Sequence, residues 1–328
     1  MKNYQLLLNV FLDHLEKYKA GLSSQSPKEL YEPENYILSL GGKRLRPLLA
    51  LIACDLFDKD PQLALDSALA VELFHNFSLL HDDILDAAPL RRNQPTVHVK
   101  WNTNIAILSG DVMLVKAFAV LQNYGFKEFK KLNILFNQTA VEVCEGQQED
   151  MNFESAETVI VDAYLTMITN KTAVLLGCSL QMGAINAYAD ETDQKNIYLF
   201  GKHLGIAFQL LDDLLDAFAE DAEKFGKQTG GDILANKKTF LLLKTMELAS
   251  DRQTSALKKL LKLKEKDAVK KINGVLALYQ ELRIKDLCLQ EADKHTQLAI
   301  AYLDKINANP KKKKELKNFA LGLLKRQV

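Results

Sequence analysis

The chain has 328 residues, of which 48% are apolar and 26% are charged. This balance is typical of a globular protein and unlike that of a disordered chain. The 42 basic residues match the 42 acidic residues, so no overall field favours nucleic acid or another polyanion. A charged ligand must therefore be bound by local clusters of side chains.

The N-terminal segment predicts an amphipathic helix, because Asp13 and Glu16 interrupt its apolar run, and it does not resemble a signal peptide. We expect no apolar run to reach the roughly 18 residues that span a bilayer. The cysteines lie far apart without metal-ligand spacing, which predicts buried free thiols in a reducing compartment; they are Cys54, Cys144, Cys178 and Cys288. We expect a cytoplasmic protein without stable membrane insertion.

The pattern is helical along almost the whole chain, since Gly and Pro are few and no strand-like alternation recurs. We take Pro33 and the Gly41–Gly42 pair as breaks before the second helix. We predict one all-α domain over residues 1–328, and the apolar helix at 103–120 is a candidate dimer interface. The predicted helices are approximately 3–20, 45–57, 61–86, 103–123, 127–150, 155–185, 190–217, 236–249, 253–263, 267–281, 284–307 and 311–326.

Two copies of Asp-Asp-x-x-Asp are the most informative feature of the sequence. They occupy residues 82–86 and 212–216, 130 residues apart (212 − 82), and each ends an apolar run. Carboxylates seldom enter apolar surroundings unless they are paired or bound to metal. One copy alone could decorate a surface helix, but two copies predict a bound cation and an anion held by that cation.

Helix geometry orders the aspartates within each copy. At about 100° per residue, the first and last aspartates lie about 40° apart on one helix face. These pairs are Asp82 with Asp86 and Asp212 with Asp216, so the central aspartates are the less certain ligands. Paired carboxylates suit Mg²⁺, which keeps several waters and is often completed by phosphate oxygens. No cluster of His and Cys accompanies the pairs, which argues against zinc or a redox metal.

Basic residues follow both motifs closely and also occur in two other segments. They suit the recognition of diphosphate, with Arg giving bidentate contacts. Each group alone is weak evidence, because arginine pairs on loops are usually solvated. Their position beside the aspartates makes them informative. They are Lys43, Arg44 and Arg46 after the Gly pair, Arg91 and Arg92 after the first motif, Lys227, Lys237 and Lys238 after the second, and Lys171 with Thr172 in "NKTA".

The segments "GGKRLRP", "LLHDDILDAAPLRRNQPTVH", "LSGD", "EGQQEDM", "NKTA" and "FQLLDDLLD…GKQTGGDI…NKKT" resemble the trans-type isoprenyl diphosphate synthases, or polyprenyl synthetases, of short-chain type. The resemblance covers residues 40 to 240. It implies an all-α isoprenoid-synthase-type bundle around a deep central cavity, usually as a homodimer. The implied reaction condenses isopentenyl diphosphate with an allylic diphosphate, using about three Mg²⁺ ions.

The same resemblance implies a role for each matching residue. Asp82 and Asp86 hold two Mg²⁺ ions, and Asp212 holds the third, with Asp216 and Asp213 acting nearby. The allylic diphosphate is bound by Arg91, Lys171, Lys227 and Lys237, and the isopentenyl diphosphate by Lys43, Arg46, His75 and Arg92. Thr172 and Gln209 face the reacting carbons. Asn93 replaces a frequent glycine of the family, and we expect only a local turn there, because Asn tolerates positive φ.

Product length is set in the family by bulky side chains before the first motif. Phe77 stands five residues before Asp82 and resembles short-chain enzymes making C15 or C20 products, and the small Ser78 shifts the prediction to C20. Helix geometry alone favours Ser78, about 40° from Asp82, over Phe77 at about 140°. Phe77 as an ordinary core residue, a C15 product and a longer product stay as alternatives.

Three other functions have specific weaknesses. A terpene cyclase would normally carry a different second metal motif and need not keep "GGKRLRP". A non-catalytic subunit of a heteromeric synthase tends to lose aspartates, and none is lost here. A helical scaffold has no reason to keep two aspartate motifs beside basic clusters.

Overall fold

The structure is a computed structural model that describes residues 2–218 and 230–325. Helices make up most of these residues, as predicted. They are α1 Lys2–Leu22, α2 Lys28–Ser39, α3 Leu45–Leu56, α4 Leu65–Leu85, α5 Val97–Lys100, α6 Thr103–Ala119, α7 Phe126–Ser155, α8 Val161–Ile168, α9 Val174–Asn186, α10 Glu191–Phe218, α11 Gly231–Leu234, α12 Phe240–Leu248, α13 Asp251–Leu261, α14 Ala268–Glu281, α15 Ile284–Lys305 and α16 Pro310–Lys325.

Short elements connect several of these helices. Single 3₁₀ turns cover Pro61–Ala64, Val120–Asn123 and Glu265–Asp267, and a π-helical turn covers Thr169–Ala173. Strands β1 (Leu90–Arg91) and β2 (Gln94–Pro95) form an antiparallel hairpin after α4.

The hairpin turn has positive φ at both central residues, 54° at Arg92 and 61° at Asn93. Turns of this hand match the twist of the two strands that they join. The expected tolerance of Asn93 for positive φ is confirmed.

The described residues fall into two compact units. The first comprises Met1–Gln138, Cys178–Tyr198 and Ile306–Lys312, and the second comprises Thr139–Gly177, Leu199–Lys305 and Lys313–Val328. In the first unit α4 packs against α3 and α6. In the second unit α12 packs against α8 and α15, and α13 against α14. Each unit carries one aspartate motif, on α4 and α10 respectively.

The helices differ from the prediction in several places. The prediction had no helix where α2, α5 and α11 lie. Pro33 lies inside α2, because the burial of Pro33, Glu34, Ile37 and Leu38 outweighs the backbone hydrogen bond that proline removes. The predicted helix 155–185 is divided into the end of α7, α8, the π turn and α9. The gap contains β-branched Thr158, Val159 and Ile160, whose helix propensity is low.

Two expectations from the sequence were wrong, one about the length of apolar segments and one about the burial of the cysteines. The stretches Pro61–Leu85 and Thr103–Asn123 are long and apolar enough to cross a bilayer by length and composition, although core helices of soluble proteins also meet this test. Two thirds of the most apolar part of the first stretch is buried in the protein. Cys54, Cys178 and Cys288 are buried free thiols, but Cys144 is exposed because it lies on the solvent face of α7.

Candidate functional site

The first aspartate motif ends α4, and its three carboxylates have different surroundings. Asp82 is partly buried, and Asp86 is exposed at the C-terminal cap, one turn further on. Asp83 is buried, with 3% of its surface exposed. Both of its oxygens accept hydrogen bonds from Arg91, whose Nε lies 2.9 and 2.8 Å from them and whose Nη2 lies 2.7 Å from Oδ1. The protein itself therefore compensates the central charge and keeps the outer pair nearer to solvent.

The hairpin that carries Arg91 also directs Arg92 towards the Gly pair before α3. The Nη1 of Arg92 donates a hydrogen bond to the carbonyl of Gly41. A Cβ on Gly42 would lie 2.7 to 2.9 Å from the Arg92 guanidinium, and the φ of +125° at Gly42 already favours glycine. Burial, and then the nearby charge of Arg44, lower the pKa of Arg92. The glycines of "GGKRLRP" thus leave space for an arginine of the next motif.

Within "GGKRLRP" one basic residue, Arg44, is buried in an ion pair, whereas Lys43 is exposed to solvent. Arg44 is buried, and its guanidinium donates to Glu72 and to the carbonyl of Leu38. Such a buried ion pair holds α4 to the end of α2 and makes Arg44 a structural residue. Lys43 is exposed just before α3.

Arg46 and His75, both expected to bind isopentenyl diphosphate, contact each other. The Nη1 of Arg46 lies 3.2 Å from the Nε2 of His75. Burial lowers the pKa of Arg46 to about 10, and burial together with the Arg46 charge holds the pKa of His75 well below its ordinary value. Because arginine can only donate, the Nε2 of neutral His75 accepts and its Nδ1 carries the proton.

The second motif lies on α10, and its central carboxylate is again buried, with 5% of Asp213 exposed. The Tyr164 hydroxyl donates to its Oδ2, and the Nε2 of Gln209 lies 3.2 Å from its Oδ1. Burial raises the pKa of Asp213 to about 7, against the lowering effect of the Tyr164 hydrogen bond. Asp212 and Asp216 are partly buried. As in the first motif, the protein satisfies the central aspartate and leaves the outer pair more accessible.

Asp216 also joins α10 to the short helix α11. Its Oδ2 accepts a hydrogen bond of 2.9 Å from the backbone N–H of Asp232, and its carbonyl accepts one of 2.6 Å from Gly230. Lys237 is exposed and lines a small cavity with Asp213, Asp216 and Asp232. Lys237, one of the basic residues expected to bind the allylic diphosphate, therefore lies close to the second motif. Lys227, another of these basic residues, lies outside the described residues.

The "NKTA" segment forms the π turn between α8 and α9, a geometry that is often found at functional sites. The Nζ of Lys171 lies 2.6 Å from Asp150 Oδ2, and the hydroxyl of Thr172 lies 3.4 Å from Gln209 Oε1. A Cβ on Gly146 would lie 2.8 Å from the backbone of Lys171, and one on Gly205 would lie 2.7 Å from Ala173. These glycines of α7 and α10 let the π turn pack closely.

The predicted chain-length residues lie on α4. The Phe77 ring is 8% exposed and lies 5.6 Å from the ring of Phe74 and 4.7 Å from that of His81. Ser78 is partly buried, and its hydroxyl donates to the carbonyl of His75 at 2.9 Å. The aromatic contacts fix the Phe77 ring, while Ser78 lies nearer in phase to Asp82, as helix geometry predicts.

The donors of both motifs are carboxylate oxygens, which fit Mg²⁺. Among residues 2–218 and 230–325, no three His, Cys, Asp or Glu side chains gather into a group that could hold a metal ion. Paired carboxylates completed by water and by substrate oxygens are the arrangement in which Mg²⁺ commonly binds. The residues present therefore fit the predicted metal.

The sequence profile described as polyprenyl synthetase matches residues 27–279. The chain belongs to the polyprenyl synthetase family. A geranylgeranyl diphosphate synthase of Saccharolobus solfataricus is 37% identical to this polyprenyl synthetase over 308 residues, 92% of this chain and 91% of the relative. The crystal structure of a geranylgeranyl pyrophosphate synthase has a TM-score of 0.94 and 44% identity over 100% of both chains.

A solved geranylgeranyl pyrophosphate synthase from Corynebacterium glutamicum is complexed with calcium and isoprenyl diphosphate. It has a TM-score of 0.83 and 25% identity, and covers 100% of this chain and 98% of its own. The family is a family of prenyltransferases that use a divalent metal ion. The predicted family and its all-α fold are confirmed.

The sequence analysis did not identify several residues of this polyprenyl synthetase that hydrogen-bond to the predicted site residues. Tyr164, Asp150 and Asp232 contact Asp213, Lys171 and Asp216 respectively. Asp150 and Asp232 stand inside quoted motifs, so their presence there was a usable signal. Tyr164 stands in an ordinary amphipathic helix, and nothing in the local pattern marked it.

Proposed function

We propose that the chain condenses isopentenyl diphosphate with an allylic diphosphate (dimethylallyl, geranyl or farnesyl) and releases diphosphate. The proposed main product is the C20 compound geranylgeranyl diphosphate. The observation that carries the proposal is the repeated arrangement of the aspartates. In each unit the protein holds the central carboxylate by its own side chains and leaves the outer pair more accessible. Family membership and the names of the relatives support the same reaction.

The proposed metal ligands are Asp82, Asp86, Asp212 and Asp216, with about three Mg²⁺ ions per site. When bound, Mg²⁺ stabilises the negative charge that develops on the departing diphosphate.

The basic side chains bind the two diphosphates. Lys43, Arg46, His75 and Arg92 take isopentenyl diphosphate, and neutral His75 contributes a hydrogen bond from Nδ1. Arg91, Lys171, Lys227 and Lys237 take the allylic diphosphate, with the Arg91 guanidinium oriented by Asp83. Charge-assisted hydrogen bonds of this kind are about twice as strong as neutral ones.

The backbone carbonyl of Lys171 and the oxygens of Thr172 and Gln209 stabilise the allylic cation, while apolar surroundings exclude water. The double bond of isopentenyl diphosphate attacks C1 of the allylic substrate, and the carbon–oxygen bond to diphosphate breaks. The new carbon–carbon bond leaves a cation on the isopentenyl unit. This cation loses a proton to the departing diphosphate, which forms the new double bond.

We also propose that the protein acts in the cytoplasm as a homodimer and as one domain over residues 1–328. Helix α6 exposes Leu108 and Val115, which are 58% and 66% exposed, and α7 exposes Ile134 at 59%. Large exposed apolar side chains on neighbouring helices suit an interface with a second copy. Sedimentation equilibrium of the wild type and of Val115→Lys tests the proposal, because a charge in this surface should shift a dimer towards monomer.

The reaction is tested with radiolabelled isopentenyl diphosphate, allylic primers of increasing length and Mg²⁺, followed by product sizing. Incorporation into a C20 product is expected, and EDTA should abolish it. Failure of the chain alone to incorporate label favours a non-catalytic subunit or a scaffold. Cyclised hydrocarbon formed without isopentenyl diphosphate favours a cyclase. A main product of C15, or of more than 20 carbons, would show that the proposed C20 product length is wrong.

Product length has its own test. Phe77→Ala should give products longer than those of the wild type with the same primer, because the aromatic side chain that limits elongation is removed. Ser78→Ala, which changes the neighbouring position without removing an aromatic ring, is the matched control. An unchanged product profile for Phe77→Ala makes Phe77 an ordinary core residue.

A further inference from the structure

A chain of hydrogen bonds in the second unit leads from a buried tyrosine to the π turn. Tyr164 on α8 is 1% exposed, and its hydroxyl donates to Asp213 Oδ2. Gln209 lies one turn before Asp213 on α10, and its Nε2 is 3.2 Å from Asp213 Oδ1. The hydroxyl of Thr172 donates to Gln209 Oε1 at 3.4 Å. Two of these four residues, Gln209 and Thr172, belong to the proposed site.

The chemistry of the donors sets the direction of every bond in this chain. The amide nitrogen of Gln209 donates to Asp213, so the amide oxygen of Gln209 is left to face Thr172. The hydrogen of the Thr172 hydroxyl is then directed at Gln209. The lone pairs of the Thr172 oxygen then point away from Gln209. These lone pairs are the groups that can stabilise a cationic substrate.

The two oxygens of Asp213 each accept a hydrogen bond within the protein. Replacing either bond by a metal ion would break a buried network, and an unsatisfied buried donor is costly. The outer aspartates of the motif are only partly buried.

We infer that Tyr164 and Asp213 are positioning residues, which fix the Gln209 amide and through it the Thr172 hydroxyl. The inference rests on the proposed prenyl transfer. It assigns the central aspartate of the second motif to orientation of the reacting groups.

The first experiment removes one hydroxyl with Tyr164→Phe. We expect kcat to fall about tenfold, the size of effect usual for residues that orient a functional side chain. The KM values for both substrates and the half-saturating Mg²⁺ concentration should stay within about twofold, because ground-state binding is unchanged. The matched control is Tyr124→Phe in the first unit, where another largely buried tyrosine hydroxyl accepts from the N–H of Ser67 and donates to the carbonyl of Leu63. Its kcat should equal that of the wild type.

A double-mutant cycle separates positioning from general loss of structure. In the Gln209→Leu background, Tyr164→Phe should cause no further fall in kcat, because the group through which it acts is gone. Equal losses in both backgrounds, or a wild-type kcat for Tyr164→Phe, would overturn the inference. Circular dichroism and thermal unfolding show whether each variant is folded.

Asp213→Asn tests the same inference without changing the tyrosine. The Asn amide has only one acceptor oxygen, so it cannot accept hydrogen bonds from both Tyr164 and Gln209. We therefore expect kcat to fall about tenfold at an unchanged Mg²⁺ requirement. Asp212→Asn, in contrast, should raise the Mg²⁺ requirement. A raised requirement for Asp213→Asn would make Asp213 a ligand and refute the assignment. Absence of product from the wild type would refute the proposed function. Product formation together with a wild-type kcat for Tyr164→Phe would refute only the positioning inference.

Discussion

The two aspartate motifs share one sequence pattern, but the protein holds their central carboxylates in different ways. Asp83 meets the full positive charge of Arg91 through three short nitrogen–oxygen contacts. Asp213 meets two neutral donors, from Tyr164 and Gln209, and its burial raises its pKa to about 7. The same pattern on two apolar helices therefore gives two electrostatic environments.

The difference follows from where each partner comes from. Arg91 follows Asp83 by only eight residues, on the hairpin that α4 leads into. Tyr164 precedes Asp213 by 49 residues and reaches it from another helix. The first motif is completed locally, and the second depends on the packing of α8 against α10.

The largest expected effect tests the common feature of both motifs, the accessible outer aspartates. Asp82→Ala, Asp86→Ala and Asp212→Ala should each lower kcat on the order of a thousandfold, because a group that stabilises developing charge is lost. Asp83→Ala should lower kcat far less. Steady-state incorporation of labelled isopentenyl diphosphate measures both, and equal losses at Asp82 and Asp83 would contradict the ordering.

The second prediction tests the contrast between the central aspartates. Asp83→Asn should destabilise the fold by about 3 kcal/mol, because it leaves the partly buried Arg91 without its counter-charge. Asp213→Asn should cost only about 1 kcal/mol, because its partners are neutral. Urea unfolding of the two variants without added metal measures the difference. A larger loss for Asp213→Asn would show that the neutral network is the stronger of the two.

The third prediction compares one glycine near each motif. Gly146→Ala in the second unit should cost about 2 kcal/mol, since a methyl group would meet the backbone of Lys171, which cannot rotate away. Gly110→Ala in the first unit meets the ring of His81, a side chain that can turn, so about 1 kcal/mol is expected.

Gly21→Ala is the control, because a Cβ there would meet no atom of the described residues within 4 Å. It should stabilise α1 by about 0.5 kcal/mol. Thermal unfolding of the three variants gives the order, and a cost for Gly146→Ala no greater than that for Gly110→Ala would show that the π turn is free to move.

The smallest expected effect concerns the histidines. In the second unit the Nδ1 atoms of His203 and His295 are 3.0 Å apart, and burial with the His295 charge lowers the pKa of His203 to about 4. The neighbouring charges are Lys202, and Glu291 and Lys294 beside His295. The unfolded chain takes up its proton near pH 6.5 and the folded chain only near pH 4, so stability is lost as pH falls through that window.

His203→Gln should therefore flatten the fall of the urea midpoint between pH 6.5 and pH 4. In the first unit the pKa of His75 is lowered in the same sense, by burial and by Arg46. An unchanged slope for His203→Gln would assign the acid sensitivity of the protein to other groups.

The amino-acid sequence by itself determined the helical fold, the family and the outer aspartate pairs, because helix periodicity and motif spacing are local properties of a chain. It also placed the basic residues on loops beside the aspartates. The structure brings some of these residues into contact, such as Arg46 with His75 and Thr172 with Gln209.

Only the tertiary structure decided which aspartate of each motif is buried and what holds it. Helix geometry ranked Asp83 and Asp213 last as ligands, but their partners Arg91 and Tyr164 appear only when separate segments pack together. The same packing keeps Pro33 inside α2 and divides the helix predicted at 155–185. The physical reason is that buried polar groups and close backbone contacts are satisfied by residues distant in sequence, and local propensity carries no information about them.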